Sequence, residues 1–168
     1  MKIIINKIHS GFGIPTQIKE MYLVKKGIEH YWYEIVKVND NFSQVYERKH
    51  YNDLDLSVRF HFPVAHLTDI GDTVTLSSDP EEGIPWEQWD STRIHFEGYV
   101  GEKVVGMMIE SRTDPVLVEI LEGLPSDYIT LLKHIYHPKV VEIPDGVEWT
   151  IEEYDGLEWV AEKHRKWG

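Results

Sequence analysis

Two tryptophans three positions apart, Trp86 and Trp89, stand in an acidic, proline-flanked stretch with Asp79, Glu81, Glu82, Glu87 and Asp90. Tryptophan is a strong anchor at protein interfaces, and loops are frequent recognition surfaces. If both rings are exposed, this stretch can grip a basic partner through aromatic anchors and a negative rim. If they are buried, they close the core beneath a long loop, as suits so large and apolar a side chain. A second candidate is the turn Ser10-Gly11-Phe12-Gly13, between an isoleucine-rich strand and a helix. Backbone amides at a helix start can hold an anion such as a nucleotide phosphate. The glycine spacing matches neither the dinucleotide fingerprint nor the P-loop, so a plain strand-to-helix connection is the competing reading.

The nine histidines yield two further constellations. His134 and His137 have the i, i+3 spacing that puts two metal ligands on one helix face, but the spacing supplies no third ligand. His61 shares a strand face with Arg59, and His95 falls on a neighbouring strand, an arrangement that could do acid–base work. Solvated surface histidines are the alternative. Carboxylates cluster at Asp53 and Asp55, at Asp79, Glu81 and Glu82, and at Glu152, Glu153 and Asp155. Nothing fixes two of them as a glycosidase pair, and the ordered spacing of a calcium loop is absent. No serine or threonine sits in a nucleophile elbow. The sequence therefore assigns no catalytic residue, no metal and no cofactor, and the expectation is a protein that is not an enzyme.

Composition narrows the setting. A chain of 168 residues with 42% hydrophobic side chains reads as one domain with its own core. The absence of cysteine excludes disulfides and thiolate metal sites, and it fits a cytoplasmic home. No run of membrane-spanning length and no signal peptide is visible. The net charge of −12 is uneven: +3 over residues 1–50, −10 over 51–139 and −5 over 140–168. Such a surface repels phosphate and attracts basic partners, so direct nucleic-acid binding is not expected. Plain solubility is the simpler use of the same charge.

These residues need elements to place them. Residues 2–8 read as a strand whose consecutive isoleucines suit burial on both faces and a central position in a sheet. A helix is predicted from Thr16 to about Lys26, with Ile18, Met21, Tyr22 and Lys25 on one face and Gly27 as its stop. Strands follow at His30–Val38, Phe42–Arg48 and Ser57–Phe62, with shorter ones at Asp72–Leu76, Arg93–Phe96 and Lys103–Ile109. Asp114 caps a helix that begins at Pro115, presents Leu117, Ile120 and Leu121 and ends near Gly123. Ser126 to Tyr136 suggests another helix. Val140–Ile143 and Val147–Glu153 read as strands, and Asp155-Gly156 is a strong hairpin turn. The alternation sends Val147, Trp149 and Ile151 inward, with Leu157, Trp159 and Ala161 facing them across the hairpin.

The two ends carry a resemblance. MKIIIN with its following GFG turn, RTDPVLVEILEGL, and VVEIPDGVEWTIEEYDGLEWVAEKHRKWG resemble a family of small phage- and prophage-encoded proteins. The match covers residues 1–14 and 112–168. It implies a shared scaffold and a phage or prophage setting, and it carries no site onto these positions. The segment at about 29–110 departs from that family and reads as a β-rich replacement or insertion.

The expected fold is α+β: a mixed or mainly antiparallel sheet with two or three packed helices. The expected function is that of a phage accessory protein, acting inside the host. It would bind and inhibit a host protein with a basic surface, such as a defence nuclease complex, in the manner of an anti-CRISPR protein. Sequestration of a small ligand or nucleotide at the Gly11–Gly13 turn, and an enzyme built on a histidine–carboxylate site, are the two alternatives.

Overall fold

A computed structural model describes residues 1–9, 13–39, 43–56, 63–79, 81–96, 107–109, 112–125, 128 and 137–163. The fold is α+β, with antiparallel sheets and packed helices. The chain divides into two compact units, Met1–Tyr22 with Phe96–Tyr99 and Glu110–Gly168, and Leu23–His95 with Val100–Ile109. No helix among the described residues is long and apolar enough to cross a membrane.

The first unit is organised on β1 (Lys2–Asn6), in which Ile3, Ile4, Ile5 and Asn6 are all buried. Residues buried on both faces of a strand are usually apolar without alternation, and the isoleucine run fits that pattern. One edge of β1 pairs antiparallel with β8 (Pro138–Glu142), with Ile4 opposite Val140. The expected central place in a sheet takes another form: among the described residues β1 pairs with β8 alone, and its second edge meets Arg112 and Glu158.

Helix α1 (Thr16–Lys26) begins in this unit, and its buried positions include Ile18 and Tyr22. Met21, expected on the same face, is exposed. Helix α3 (Pro115–Gly123) starts at Asp114, whose carboxylate accepts from the Val116 and Leu117 amides at 2.8 and 3.3 Å. That satisfies two of the free donors at the helix start. The Tyr22 hydroxyl donates to the other Asp114 oxygen at 2.8 Å and ties α1 to this cap. Leu117, Val118, Ile120 and Leu121 bury the inner face of α3. The helix expected over 126–136 lies outside the described residues except for Tyr128.

The terminal hairpin joins β9 (Trp149–Tyr154) to β10 (Leu157–Glu162). Asp155 and Gly156 both take positive φ, at 51° and 80°, as a two-residue type I′ turn requires. The turn therefore forms where the Asp-Gly pair predicts it, but the facing of the side chains differs from expectation. With Tyr154 opposite Leu157, the register places Trp149 opposite Glu162, Ile151 opposite Val160 and Glu153 opposite Glu158. A two-residue turn pairs odd positions with even ones, and the sheet period is two. Leu157, Trp159 and Ala161 thus share a face with Thr150, Glu152 and Tyr154. Trp159 is 39% exposed, and its indole N–H donates to Glu152 at 3.0 Å.

The second unit is built on a four-stranded antiparallel sheet of order β4-β2-β3-β5. Its strands are β2 (Tyr31–Val38), β3 (Gln44–Lys49), β4 (Val64–His66) and β5 (Thr73–Leu76). Helix α2 (Trp86–Thr92) packs Trp89 against it. Two short strands, β6 (Ile94–Phe96) and β7 (Met107–Ile109), pair with each other. Sequence patterning finds β2, β3 and β5 to within a few residues, whereas β4 follows Pro63 and is too short to show alternation. The strand expected at Ser57–Phe62 lies outside the described residues.

A latch fixes the turn between β4 and β5. Asp69 accepts from the Gly71 amide at 3.0 Å and the Tyr33 hydroxyl at 3.2 Å, and the same hydroxyl accepts from the Ile70 amide. Arg48 bridges Asp69 and Asp72. The Gly71 amide, with Arg48 and the Tyr33 hydroxyl, holds the Asp69 carboxyl below the usual carboxylate value. Because the folded pKa is the lower one, the stabilisation is present above the unfolded value, about 3.9, and is lost as pH falls through the folded one. Urea midpoints measured from neutral pH into the acid range should fall below about pH 4, and Asp69→Asn should flatten part of that fall. An unchanged acid slope in the variant would assign the loss to other carboxylates.

Candidate functional site

The acidic stretch singled out above folds into an arm on β5. The Ile84 amide donates to the Thr75 carbonyl at 2.9 Å, and the Ser77 amide donates to the Ile84 carbonyl at 3.2 Å. These bonds form a short parallel bridge between Leu76 and Ile84. Gly83 lies so close to β5 that a Cβ there would stand 2.3 Å from the Thr75 carbonyl oxygen, so only glycine fits without a shift. Inside the arm, Asp79 accepts from the Glu81 amide at 2.9 Å and the Ser77 hydroxyl oxygen from the Asp79 amide at 3.1 Å. The backbone is thereby held as a loop of defined shape, which leads through Pro85 into α2.

The two tryptophans part company at α2. Trp89 is 1% exposed, so it is withdrawn from the partner-binding set. Its ring meets His66 at 4.1 Å, Tyr46 at 4.5 Å and Tyr33 at 5.5 Å between centroids. The physical reason lies in what each ring meets: Trp89 is set among the rings of Tyr33, Tyr46 and His66, whereas Trp86 is the first residue of α2. Trp86 remains 39% exposed. His66 is fully buried, and its Nδ1 lies 2.9 Å from the Thr92 hydroxyl at the end of α2. Trp89 and Thr92 thus anchor the helix on the sheet and leave its first turn outward.

The carboxylates divide in the same way. Asp79, Glu81, Glu82 and Glu87 are exposed, and Asp90 is half-buried beside Arg93 at 3.7 Å. Among the described residues no cation pairs with Asp79, Glu81 or Glu87. Residues 76–90 hold five carboxylates and no lysine or arginine. The structure therefore brings Trp86, Asp79, Glu81, Glu82 and Glu87 onto one ordered, acidic arm.

The other sequence candidates have different fates. Ser10, Gly11 and Phe12 lie outside the described residues, as do Arg59, His61 and His134. Gly13 is half-buried ahead of the buried Ile14, Pro15 and Thr16. Asp53 and Asp55 are exposed at the end of a single 3-10 turn, Tyr51–Asp53. Among the described residues no group of three or more histidine, aspartate or glutamate side chains is arranged to hold a metal ion.

A second cluster, in the first unit, escaped the reading of the sequence. Arg112 makes a two-pronged ion pair with Glu158 at 2.6 and 2.7 Å, and Glu158 is 7% exposed. Glu158 also accepts from the Asn6 amide at 2.6 Å. Arg112 exchanges backbone and side-chain bonds with Ile4: the Ile4 amide donates to the Arg112 carbonyl at 2.7 Å, and Nη1 donates to the Ile4 carbonyl at 3.2 Å. The Asn6 side-chain amide donates to the carbonyls of Ile8 and Gly156 at 2.6 and 2.7 Å. Along this edge of β1, among the described residues, Arg112 and Glu158 supply hydrogen-bond partners for Ile4 and Asn6. Asn6, Arg112, Gly156 and Glu158 meet here from distant parts of the chain. Spacing cannot join positions so far apart.

No family model, curated protein or solved structure matches the chain.

Proposed function

We propose that this protein is a non-enzymatic binder whose acidic arm, residues 79–90, engages a basic surface on a partner protein. The observation that carries the proposal is the build of the arm. Trp86 and four exposed carboxylates stand on a backbone locked to β5 and anchored through Trp89. A partly exposed tryptophan can serve as an aromatic anchor, and a preorganised loop loses little entropy on binding. Asp79, Glu81 and Glu87, which no cation pairs among the described residues, keep their attraction for a cationic surface. The resemblance of the chain ends to phage and prophage proteins supports a host protein as that partner. A host defence nuclease, whose nucleic-acid groove is basic, has the charge to match, and occupation of that groove would inhibit it.

Affinity capture from lysate of the bacterial host tests this, with bound proteins identified by mass spectrometry. The partner should be lost with the variant Glu81→Lys, Glu82→Lys, Glu87→Lys and should weaken as salt rises. Trp86→Ala should weaken it by about 30-fold, the loss of roughly 2 kcal/mol typical of a tryptophan anchor. A captured partner indifferent to both salt and charge reversal would overturn the assignment of the arm.

A further inference from the structure

The terminal hairpin leaves one long edge open. In a two-residue hairpin, the pair flanking the turn exchanges both backbone hydrogen bonds, and bonded and non-bonded pairs then alternate. Tyr154 opposite Leu157 is such a pair, so the amides and carbonyls of Trp149, Ile151 and Glu153 point away from β10. Among the described residues β9 has no other strand partner. An open groove of about 870 Å³ runs beside these residues. Val147, Trp149 and Ile151 give it an apolar strip, Glu148 and Glu153 line it with carboxylates, Lys163 adds a cation, and the Arg112–Glu158 pair forms part of its wall. Trp149 and Ile151 are half-buried, so the strip is only partly covered by the protein's own packing.

We propose that this groove takes an extended, cationic segment of a protein partner, added as a further strand along β9. Three features select that occupant. The edge offers unpaired backbone groups at alternate residues, which an extended chain can satisfy. The apolar strip suits side chains spaced two apart on that chain. The lining holds Glu148, Glu153 and Glu158 against Arg112 and Lys163, a net negative charge that favours positive charge in the occupant. Of the carboxylates at the groove, Glu158 is already matched by Arg112, whereas Glu148 and Glu153 are exposed. A second copy of this chain on the same edge would set glutamates against glutamates, which is unfavourable across paired strands. This site lies in the first unit and is independent of the acidic arm.

The test uses the full-length protein and a fluorescein-labelled peptide of alternating lysine and valine, followed by fluorescence anisotropy. Two control peptides carry glutamate in place of lysine, or N-methyl groups on alternate amides. The lysine–valine peptide should bind, and either control should bind at least about tenfold more weakly. Glu148→Lys with Glu153→Lys should lose the same factor, whereas Glu81→Lys, Glu82→Lys, Glu87→Lys should bind as the native protein does. Amide exchange at Trp149, Ile151 and Glu153 should slow when the peptide is added, in a protein whose circular dichroism is unchanged. Equal binding of the N-methylated peptide would reduce the effect to charge alone and overturn strand addition. Retained binding by the Glu148, Glu153 variant, or self-association that excludes the peptide, would overturn the proposed occupant. A lost partner in host capture combined with normal peptide binding would separate failure of the acidic arm from failure of this groove.

Discussion

Arg112→Ala is expected to destabilise the first unit by about 3–5 kcal/mol, the range for removing one partner of a buried ion pair. The variant leaves Glu158 buried with its charge unmatched and the Ile4 carbonyl without one of its donors. Replacing both members of a buried pair by apolar residues often restores stability, because the desolvation cost of both charges disappears. Here that rescue should fail. Glu158 accepts from the Asn6 amide and Arg112 serves the Ile4 carbonyl, so Arg112→Met with Glu158→Leu removes partners of two backbone groups as well as the two charges. Urea unfolding of both single variants and the double variant measures the coupling. A double variant as stable as the native protein would show that the pair is ordinary ion-pair chemistry and that its bonds to the β1 backbone contribute little.

Trp89→Ala should cost about 3–5 kcal/mol through the cavity it leaves among Tyr33, Tyr46 and His66. Trp86→Ala, three residues away, should change stability by no more than about 0.5 kcal/mol, as surface replacements generally do. The contrast matters for the proposed function. Loss of Trp89 removes the anchor of α2 and should weaken partner capture only by loosening the arm, so lowering the temperature should recover part of it. Loss of Trp86 should weaken capture at every temperature while leaving the unfolding midpoint in place. Urea unfolding followed by far-ultraviolet circular dichroism, run beside the capture assay, distinguishes the two. Equal stability losses for both variants would mean that the two rings share one buried environment, against the burial seen here.

Local signals account for the parts of this fold that were legible in the sequence. Asp114 caps its helix as its side chain favours, α1 begins at the Thr16 expected to cap it, and Asp155-Gly156 turns the chain as its tolerance of positive φ allows. The side chains facing across that turn were misjudged, because register depends on the parity of the turn as well as on the alternation within each strand. Met21 was placed inward by a helical wheel that had no knowledge of what α1 packs against. The acidic arm was visible as composition, but the separation of Trp86 from Trp89 depends on where β5 holds Gly83 and on the aromatic rings of β2 and β3. The Arg112–Glu158 cluster could not be foreseen. Each of its members reads locally as an ordinary polar residue, and only tertiary structure brings them together.

The ion pair along β1 also orders events in time. Ile4 meets Arg112 across 108 positions, and Asn6 meets Glu158 across 152. The sheet of the second unit lies within residues 31–76, and the helix beneath it ends at Thr92. A chain made from its N-terminus therefore completes that sheet and helix while β1 still lacks both β8 and its ionic edge. Closing the first unit over so long an interval carries a modest entropic penalty, since loop closure rises only about 0.6 kcal/mol per doubling of length. The larger consequence is exposure: three adjacent isoleucines wait without a covering strand until β8 arrives, and β-prone apolar segments in that condition are where nascent chains associate wrongly.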